Sequence, residues 1–187
     1  AFNGIMFMTS KSPFEDQGIS VSLKGGITSQ EAGGNNEFTD FNIRMAYAFS
    51  DKFAAKVTLS VLEGTDWFAT DYRNTNGDEY IPGTRESEND YNGVNVYGDV
   101  VATTPAPAVG RVSRTGYNER DLMDYGVTSV KFNSSLNYRP FGNDRLEIIL
   151  NSKVGTGDTQ YLGGQKYAIK NFFMQQHKLE IKGKNFF

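Results

Sequence analysis

Residues 38–62 read FTDFNIRMAYAFSDKFAAKVTLSVL, and this stretch decides the fold. Apolar residues occupy every second position on either side of a central Ser50-Asp51-Lys52. The alternating apolar positions are Phe41, Ile43, Met45, Tyr47, Phe49, Phe53, Ala55, Val57, Leu59 and Val61. A period of two places successive side chains on opposite faces of a strand. The stretch therefore predicts two antiparallel strands, joined by a tight turn, that share one apolar and one polar face.

The same alternation recurs along the chain and predicts about six strands in all. The predicted strands cover 18–27, 38–49, 53–63, 127–138, 146–154 and 177–182. Between them, tight turns at 50–52 and 139–144 alternate with longer polar connections at 28–37, 67–124 and 155–171. In an up-and-down sheet this order places the short turns on one side and the long loops on the other, as in outer-membrane barrels.

Composition excludes several classes of protein. The chain has 187 residues, a net charge of −3 and no cysteine, so it has neither the basic stripe of a nucleic-acid binder nor a disulfide framework. No apolar run approaches the ~18 residues that a membrane helix needs. A transmembrane strand needs only about 9–11 residues, half of them apolar, so a barrel can be hydrophilic on average.

Two interpretations account for the alternation, a soluble β-sandwich and a membrane barrel. Three features favour the barrel: the apolar face of the predicted strands carries no charged residue, the connections differ in length, and aromatic residues gather at strand ends. The strand-end aromatics include Phe38, Phe49, Phe53, Phe172 and Phe173. The predicted fold class is therefore all-β, an antiparallel up-and-down transmembrane β-barrel of which this chain holds about six strands.

The register follows from the cations on the polar face. Each would cost about 2–4 kcal/mol near the midplane of a bilayer, so the polar face is predicted to look into the lumen. The candidate residues that face the lumen or a plug are Lys24, Arg44, Lys56, Lys131, Lys153 and Lys178. Contact with carboxylates of a plug is the favoured role, and tuning the passage of anionic cargo is the alternative.

Six strands cannot close a barrel of useful width, so further strands are expected. An open sheet in lipid leaves unpaired backbone groups at both edges, and each costs several kcal/mol. The chain begins at Ala1-Phe2-Asn3 without a signal peptide and stops at Phe187, beside the start of another apparent strand. We therefore expect a piece of a larger protein.

Several strings, in order along the chain, resemble TonB-dependent outer-membrane transporters of the SusC/RagA type. The strings are AFNGIMFMTSKSPFEDQGISVSLKGG, FSDKFAAKVTLSVLEGTDWFATDY, VSRTGYNERDLMDYG, NYRPFGNDRLEIILNSKVGTGDTQY and FMQQHKLEIKGKNFF. The resemblance implies that residues 1–17 are the last plug strand and linker of a 22-stranded plugged barrel. Residues 18–187 would be the N-terminal part of that barrel, with a long extracellular loop at about 67–124.

The same resemblance implies a function and partners. The whole protein would lie in the bacterial outer membrane, in contact with its lipid, and import a bulky nutrient such as an oligosaccharide or peptide. TonB-coupled energy would reach it through a segment outside this sequence. A SusD-type surface lipoprotein would form the lid, and the remainder of the same barrel would supply the missing strands.

The long loop holds the candidate ligand-contacting residues. Aromatic rings among Asp and Asn side chains suit the capture of a sugar or peptide. The candidates are Trp67, Tyr72, Tyr80, Tyr91, Tyr97 and Tyr117. The alternative is that these rings only pack the loop against itself or a neighbour.

No catalytic constellation is present, so we predict that the chain is not an enzyme and needs no cofactor. His177 is the only histidine, and its position at the predicted start of the sixth strand favours a structural role. Residues 74–79 faintly resemble a calcium loop, but Tyr72 and Gly83 occupy two ligand positions of an EF-hand, which excludes that motif. Calcium bound by loop carboxylates stays open as an alternative.

Two rival functions also stay open. One is a barrel of the same family that serves as a structural component of an outer-membrane assembly without transport. The other is a soluble β-sandwich that acts as a carbohydrate-binding module or adhesin, which would be extracted as a stable monomer without detergent.

Overall fold

The structure is a computed structural model of the chain. It describes residues 6, 9–31, 33–68, 70–76, 79–89, 91–93, 96–97, 103–106, 110–112, 117–162 and 166–183. Within these ranges the chain is all-β, with a single 3-10 turn at Glu119–Asp121. No helix long and apolar enough to cross a membrane occurs among the residues so described.

Six long strands form one antiparallel sheet. In chain order the strands are β1 (Gly18–Gln30), β2 (Gly34–Ser50), β3 (Phe53–Thr65), β4 (Thr75–Asn76), β5 (Glu79–Tyr80), β6 (Val96–Tyr97), β7 (Thr103–Ala106), β8 (Gly110–Val112), β9 (Tyr117–Asn118), β10 (Gly126–Tyr138), β11 (Leu146–Leu162) and β12 (Lys166–Gly183). The large sheet has the order β1-β2-β3-β10-β11-β12, and every neighbouring pair is antiparallel. The short strands pair as β4-β5, β6-β9 and β7-β8 within the segment between β3 and β10.

The six predicted strands and the two tight turns are confirmed, but two of the three long connections are wrong. The chain between β1 and β2 is only residues 31–33, and the chain between β11 and β12 is only residues 163–165. The predicted loops at 28–37 and 155–171 are mostly strand, because the two hairpins extend beyond β3 and β10 on that side of the sheet. Only the connection between β3 and β10 is long. Of the predicted plug strand and linker at 1–17, residues 1–5, 7 and 8 fall outside the described residues, and the described residues of this range lie outside strands.

The register aligns one apolar face across all six strands. One cross-strand row, for example, runs Val21–Ile43–Leu59–Phe132–Val154. In the described part of the chain no second sheet covers this face, since the remaining sheets are two-stranded and pair only with themselves. Val21 is 60% exposed and Phe132 is 42% exposed, so the face is open to its surroundings.

The strand-end aromatics divide between the two faces. Tyr47, Phe49, Phe53 and Tyr138 form a row on the apolar face beside the short turns, with Phe49 centred 5.1 Å from Tyr47 and 5.6 Å from Phe53. At the other end Phe38 turns to the polar face and lies between its glycine partners in β1 and β3. The ring fills the space that two missing side chains leave.

Polar side chains interrupt the apolar face towards β12. His177 lies in the middle of β12, not near its start as predicted, because β12 begins eleven residues earlier at Lys166. Its Nδ1 is 2.6 Å from the Oγ of Ser152, the residue directly opposite in β11. The hydrogen bond gives each of these two polar groups a partner on a mainly apolar face.

Candidate functional site

A linker segment, residues 10–17, lies across the polar face at the end of the sheet that carries the short turns. Lys56, which is 7% exposed, donates to the Oγ of Ser10 at 2.8 Å and to the carbonyl of Lys11 at 2.5 Å. Arg44 donates to the carbonyl of Asp16 at 2.7 Å. Two of the six predicted lumenal cations therefore hold the linker against the sheet.

A buried polar network on the neighbouring strands β10 and β11 anchors the same linker. Ser135 donates to Asn137, and Asn137 donates to Glu147, at 2.7 Å in each case. The other carboxylate oxygen of Glu147 accepts a hydrogen bond from the Nε of Arg139 at 3.0 Å. The Arg139 guanidinium then lies over the ring of Phe14, 4.0 Å from its centroid. Pro13, the residue before Phe14, is fully buried, so the linker packs on the network through apolar as well as charged contacts.

Replacing Lys56 by Met is expected to release the linker. The substitution removes two donors to residues 10 and 11 and leaves the aliphatic stem in place. Hydrogen exchange, followed by mass spectrometry on the complete protein, should then be at least about tenfold faster in residues 10–17. A factor of ten corresponds to a loss of about 1.4 kcal/mol in the free energy of local opening, the size of one hydrogen bond. Lys24→Met is the matched control, and equal exchange in the two variants would contradict this role of Lys56.

The other four cations predicted to face the lumen differ in their partners. Lys24 lies 3.8 Å from a carboxylate oxygen of Asp40, and Lys178 lies 2.6 Å from one of Glu180. Both pairs are on the polar face, as the register predicts. Lys131 and Lys153 make no ion pair or hydrogen bond with any residue that the structure describes. These two ammonium groups are therefore available on the half of the face that the linker leaves open.

The long connection between β3 and β10 forms a cleft of about 640 Å³. Tyr72 and Tyr91 line it together with Arg73, Arg85 and Glu86. Tyr91 is 7% exposed, and its hydroxyl donates to the backbone carbonyl of Tyr72. The Tyr91 ring thus supports the wall of the cleft, and four of the residues that line it are charged: Asp71, Arg73, Arg85 and Glu86.

Tyr80 belongs to a separate stack beside this cleft. The Arg73 guanidinium lies 3.6 Å from the centroid of the Tyr80 ring and makes a bidentate pair with Asp71, at 2.6 and 2.9 Å. These hydrogen bonds from the side chain and backbone of Arg73 lower the pKa of Asp71 to about 2. Planar stacking and a fixed carboxylate give the guanidinium one orientation.

The remaining aromatic candidates lie elsewhere. Trp67 is 51% exposed and borders a hollow between the ends of β1 and β2, lined by Thr28 and Asn36. Tyr97 pairs with Tyr117 through the backbone in β6 and β9; the side chain of Tyr97 lies outside the described residues, and that of Tyr117 is 66% exposed. The structure therefore brings Tyr72 and Tyr91 together at the cleft, places Tyr80 beside it against Arg73, and leaves Trp67 and Tyr117 apart.

Acid titration should show the depressed pKa of Asp71. The folded pKa of this carboxyl group lies below its usual value of 3.8, so its ionised form stabilises the folded loop fully at a pH above 3.8. This stabilisation is lost as the pH falls through about 2. We expect the Asp71 carboxyl, assigned by ¹³C NMR against Asp71→Asn, to stay ionised at pH 3. Arg73→Gln should return its midpoint towards the usual value, and a wild-type midpoint near 4 would contradict the pairing.

Metal ligands do not cluster in the part of the loop that the structure covers. Across all the described ranges no group of three or more His, Cys, Asp or Glu side chains is placed to hold a metal ion. Residues 77–78 of the faint calcium-like string lie outside those ranges.

Comparison with known proteins adds no assignment. The chain matches no family model, and neither a curated protein nor a solved structure matches it significantly.

Proposed function

We propose that this chain is a segment of a TonB-dependent importer of the SusC/RagA type in the bacterial outer membrane. The whole protein would take up a bulky nutrient such as an oligosaccharide or peptide, without enzymatic activity of its own. The sheet would form part of the barrel wall, with its apolar face against lipid and its polar face against the lumen.

The observation that carries the proposal is the contrast between the two faces of one sheet. The apolar face extends over six strands, interrupted by Ser152 and His177 towards β12, and no sheet of the described residues covers it. The polar face, in contrast, holds the linker through Lys56, Arg44 and Arg139. In a soluble sandwich the apolar face would instead be covered, because it packs on a second sheet, and the polar face would be open to water. An exposed apolar face of this extent in water would favour aggregation, and contact with acyl chains removes that problem.

Strand length and aromatic position support the same orientation. The six strands have 13 to 18 residues, more than the roughly 9–11 that cross a bilayer, and the excess lies on the side of the long connection. The row Tyr47, Phe49, Phe53 and Tyr138 stands on the apolar face at the opposite end. Aromatic rows at this level are typical of the lipid–water interface.

The open edges of the sheet require a partner. In the described residues β1 and β12 each have one neighbour and do not pair with each other. In lipid their unpaired backbone groups would each cost several kcal/mol, so further strands of the same barrel would have to close it. A SusD-type lipoprotein lid and the TonB complex are the partners that the resemblance adds to the proposal.

Cell fractionation and growth test the proposal together. The complete protein is expected in the outer-membrane fraction, released only by detergent, with heat-modifiable migration on gels. A strain that lacks the gene should lose growth on at least one member of a panel of oligosaccharides and peptides of five or more units, with normal growth on glucose and free amino acids.

Two other outcomes reject import. Release of the protein without detergent as a stable monomer would reject the barrel and favour a soluble sandwich. An outer-membrane location with unchanged growth on every member of the panel would favour a structural barrel that does not transport.

A further inference from the structure

A hollow of about 550 Å³ lies on the polar face of β10 and β11, in the half that the linker leaves open. Its floor is Gly155, where an added Cβ would meet no atom within 4 Å. Its walls are Leu62 of β3 and the two residues Phe172 and Met174 of β12. The register places these side chains on the polar face, since Gly155 pairs with Met174 and Gly157 pairs with Phe172.

The walls of this hollow are apolar side chains on a face that is otherwise polar. Phe172 is 52% exposed and Met174 is 56% exposed. Hydrophobic groups on the water-facing side of a barrel cannot be explained by contact with lipid. Grouped around an open floor, they form an apolar surface of the kind that binds small molecules.

Cationic and polar groups form one edge of the hollow. Lys131 lies directly opposite Gly155, and Lys153 lies directly opposite Asn133 on the neighbouring strand. Neither ammonium group has a carboxylate partner among the residues described, in contrast to Lys24 and Lys178 on the same face. The Oδ1 of Asn133, which neighbours Lys131 along β10 and Lys153 across the strand pair, is buried and accepts no hydrogen bond from any residue that the structure describes.

We infer that this hollow binds an anionic cargo molecule whose carboxylate lies beside an apolar, ring-sized group. The carboxylate would lie between Lys131 and Lys153, and the apolar group would contact Leu62, Phe172 and Met174 above Gly155. A hydroxyl or amide N–H next to the carboxylate would donate to Asn133. This inference rests on the proposed function, because the polar face must look into the lumen, and it adds the chemical class of the cargo.

Charge and position favour cargo over the plug linker as the occupant. The linker already lies on the other half of the polar face, where it is held by Lys56, Arg44 and Arg139. The hollow lies towards the end of β10 that joins the long connection, which is the side from which cargo would enter. A neutral sugar would leave both ammonium groups without a counter-charge and the apolar walls uncovered.

Binding of simple probes to the complete protein in lipid nanodiscs tests the inference. The probes are 2-naphthoate and its neutral analogue 2-naphthalenemethanol, measured by calorimetry with empty nanodiscs subtracted. We expect 2-naphthoate to bind at least about tenfold more tightly than the alcohol, the factor that one charge-assisted hydrogen bond supplies. The double variant Lys131→Gln, Lys153→Gln should lose this preference, and Lys24→Gln should keep it.

Two further variants separate the hollow from general surface charge. Gly155→Leu fills open space and should abolish binding of both probes. Met174→Glu places a carboxylate beside the two lysines and should weaken 2-naphthoate binding by at least about tenfold without changing the wall elsewhere. Heat-modifiable migration confirms that each variant is folded.

Equal affinity of the two probes, or unchanged binding in folded Gly155→Leu, would overturn the inference. Failure of this kind would leave the proposed importer intact, because fractionation and growth do not depend on the hollow. Loss of the membrane location, in contrast, would remove the proposed function first.

Discussion

Replacing Ile43 by Arg is expected to destabilise the complete protein in a bilayer by about 2–4 kcal/mol, the cost of a cation on the lipid face near the midplane. Ile43 stands in the middle of β2, between Val21 of β1 and Leu59 of β3 on the apolar face. None of these neighbours offers a carboxylate to the guanidinium. The free energy of unfolding, from urea titration of liposome-embedded protein, measures the effect.

The adjacent residue supplies the matched control. Asn42 lies on the polar face, where its amide donates to Asp40 at 2.8 Å. Asn42→Arg puts the same cation beside a carboxylate on the other side of the same strand, so we expect a change within about 0.5 kcal/mol. Equal losses in the two variants would show that the two faces do not meet different surroundings.

Replacing Glu147 by Ala is expected to cost about 3–5 kcal/mol, because it leaves the largely buried Arg139 guanidinium with only the exposed carboxylate of Glu15, 4.0 Å away. The side chains of Glu147 and Arg139 are only 5% and 15% exposed. The substitution also removes the acceptor of Asn137, whose amide N–H would then be buried without a hydrogen bond. The same unfolding titration measures the loss, and hydrogen exchange should show faster exchange around Phe14, which packs on Arg139.

Glu15 provides the control for this network. It lies 4.0 Å from the same guanidinium but is 75% exposed. Glu15→Ala should therefore cost no more than about 1 kcal/mol, as exposed ion pairs do. A loss for Glu147→Ala as small as that for Glu15→Ala would mean that the network does not anchor the linker.

The period-two pattern was sufficient to predict the sheet but not the lengths of its strands. The β2–β3 turn could be predicted because apolar alternation stops on both sides of Asp51 and Lys52. The Gly and polar residues of the stretch 155–171 resemble a turn locally and therefore predict a loop. Its actual state depends on cross-strand pairing, since Gly155 pairs with Lys131 and Met174, which are far away in sequence.

The candidate site shows the same division between local and non-local information. Alternation was sufficient to place Lys24, Lys56 and Lys131 on one face. Their different partners follow from the path of the linker and from the neighbours across each strand, and only the structure shows these. The hollow could not be predicted because its floor, Gly155, lies in the predicted loop, and two of its walls, Phe172 and Met174, lie between that loop and the predicted sixth strand.

Electron paramagnetic resonance of spin labels along β3 tests most directly whether the apolar face meets lipid. The chain has no cysteine, so single cysteines at 56–61 can be labelled one at a time in the complete protein, after any cysteine elsewhere has been replaced. We predict that labels at Val57, Leu59 and Val61 are accessible to oxygen dissolved in the bilayer, and that those at Thr58 and Ser60 are accessible to a water-soluble nickel chelate. Low accessibility of Val57 and Leu59 to both reagents would place them in a closed protein core and contradict the account.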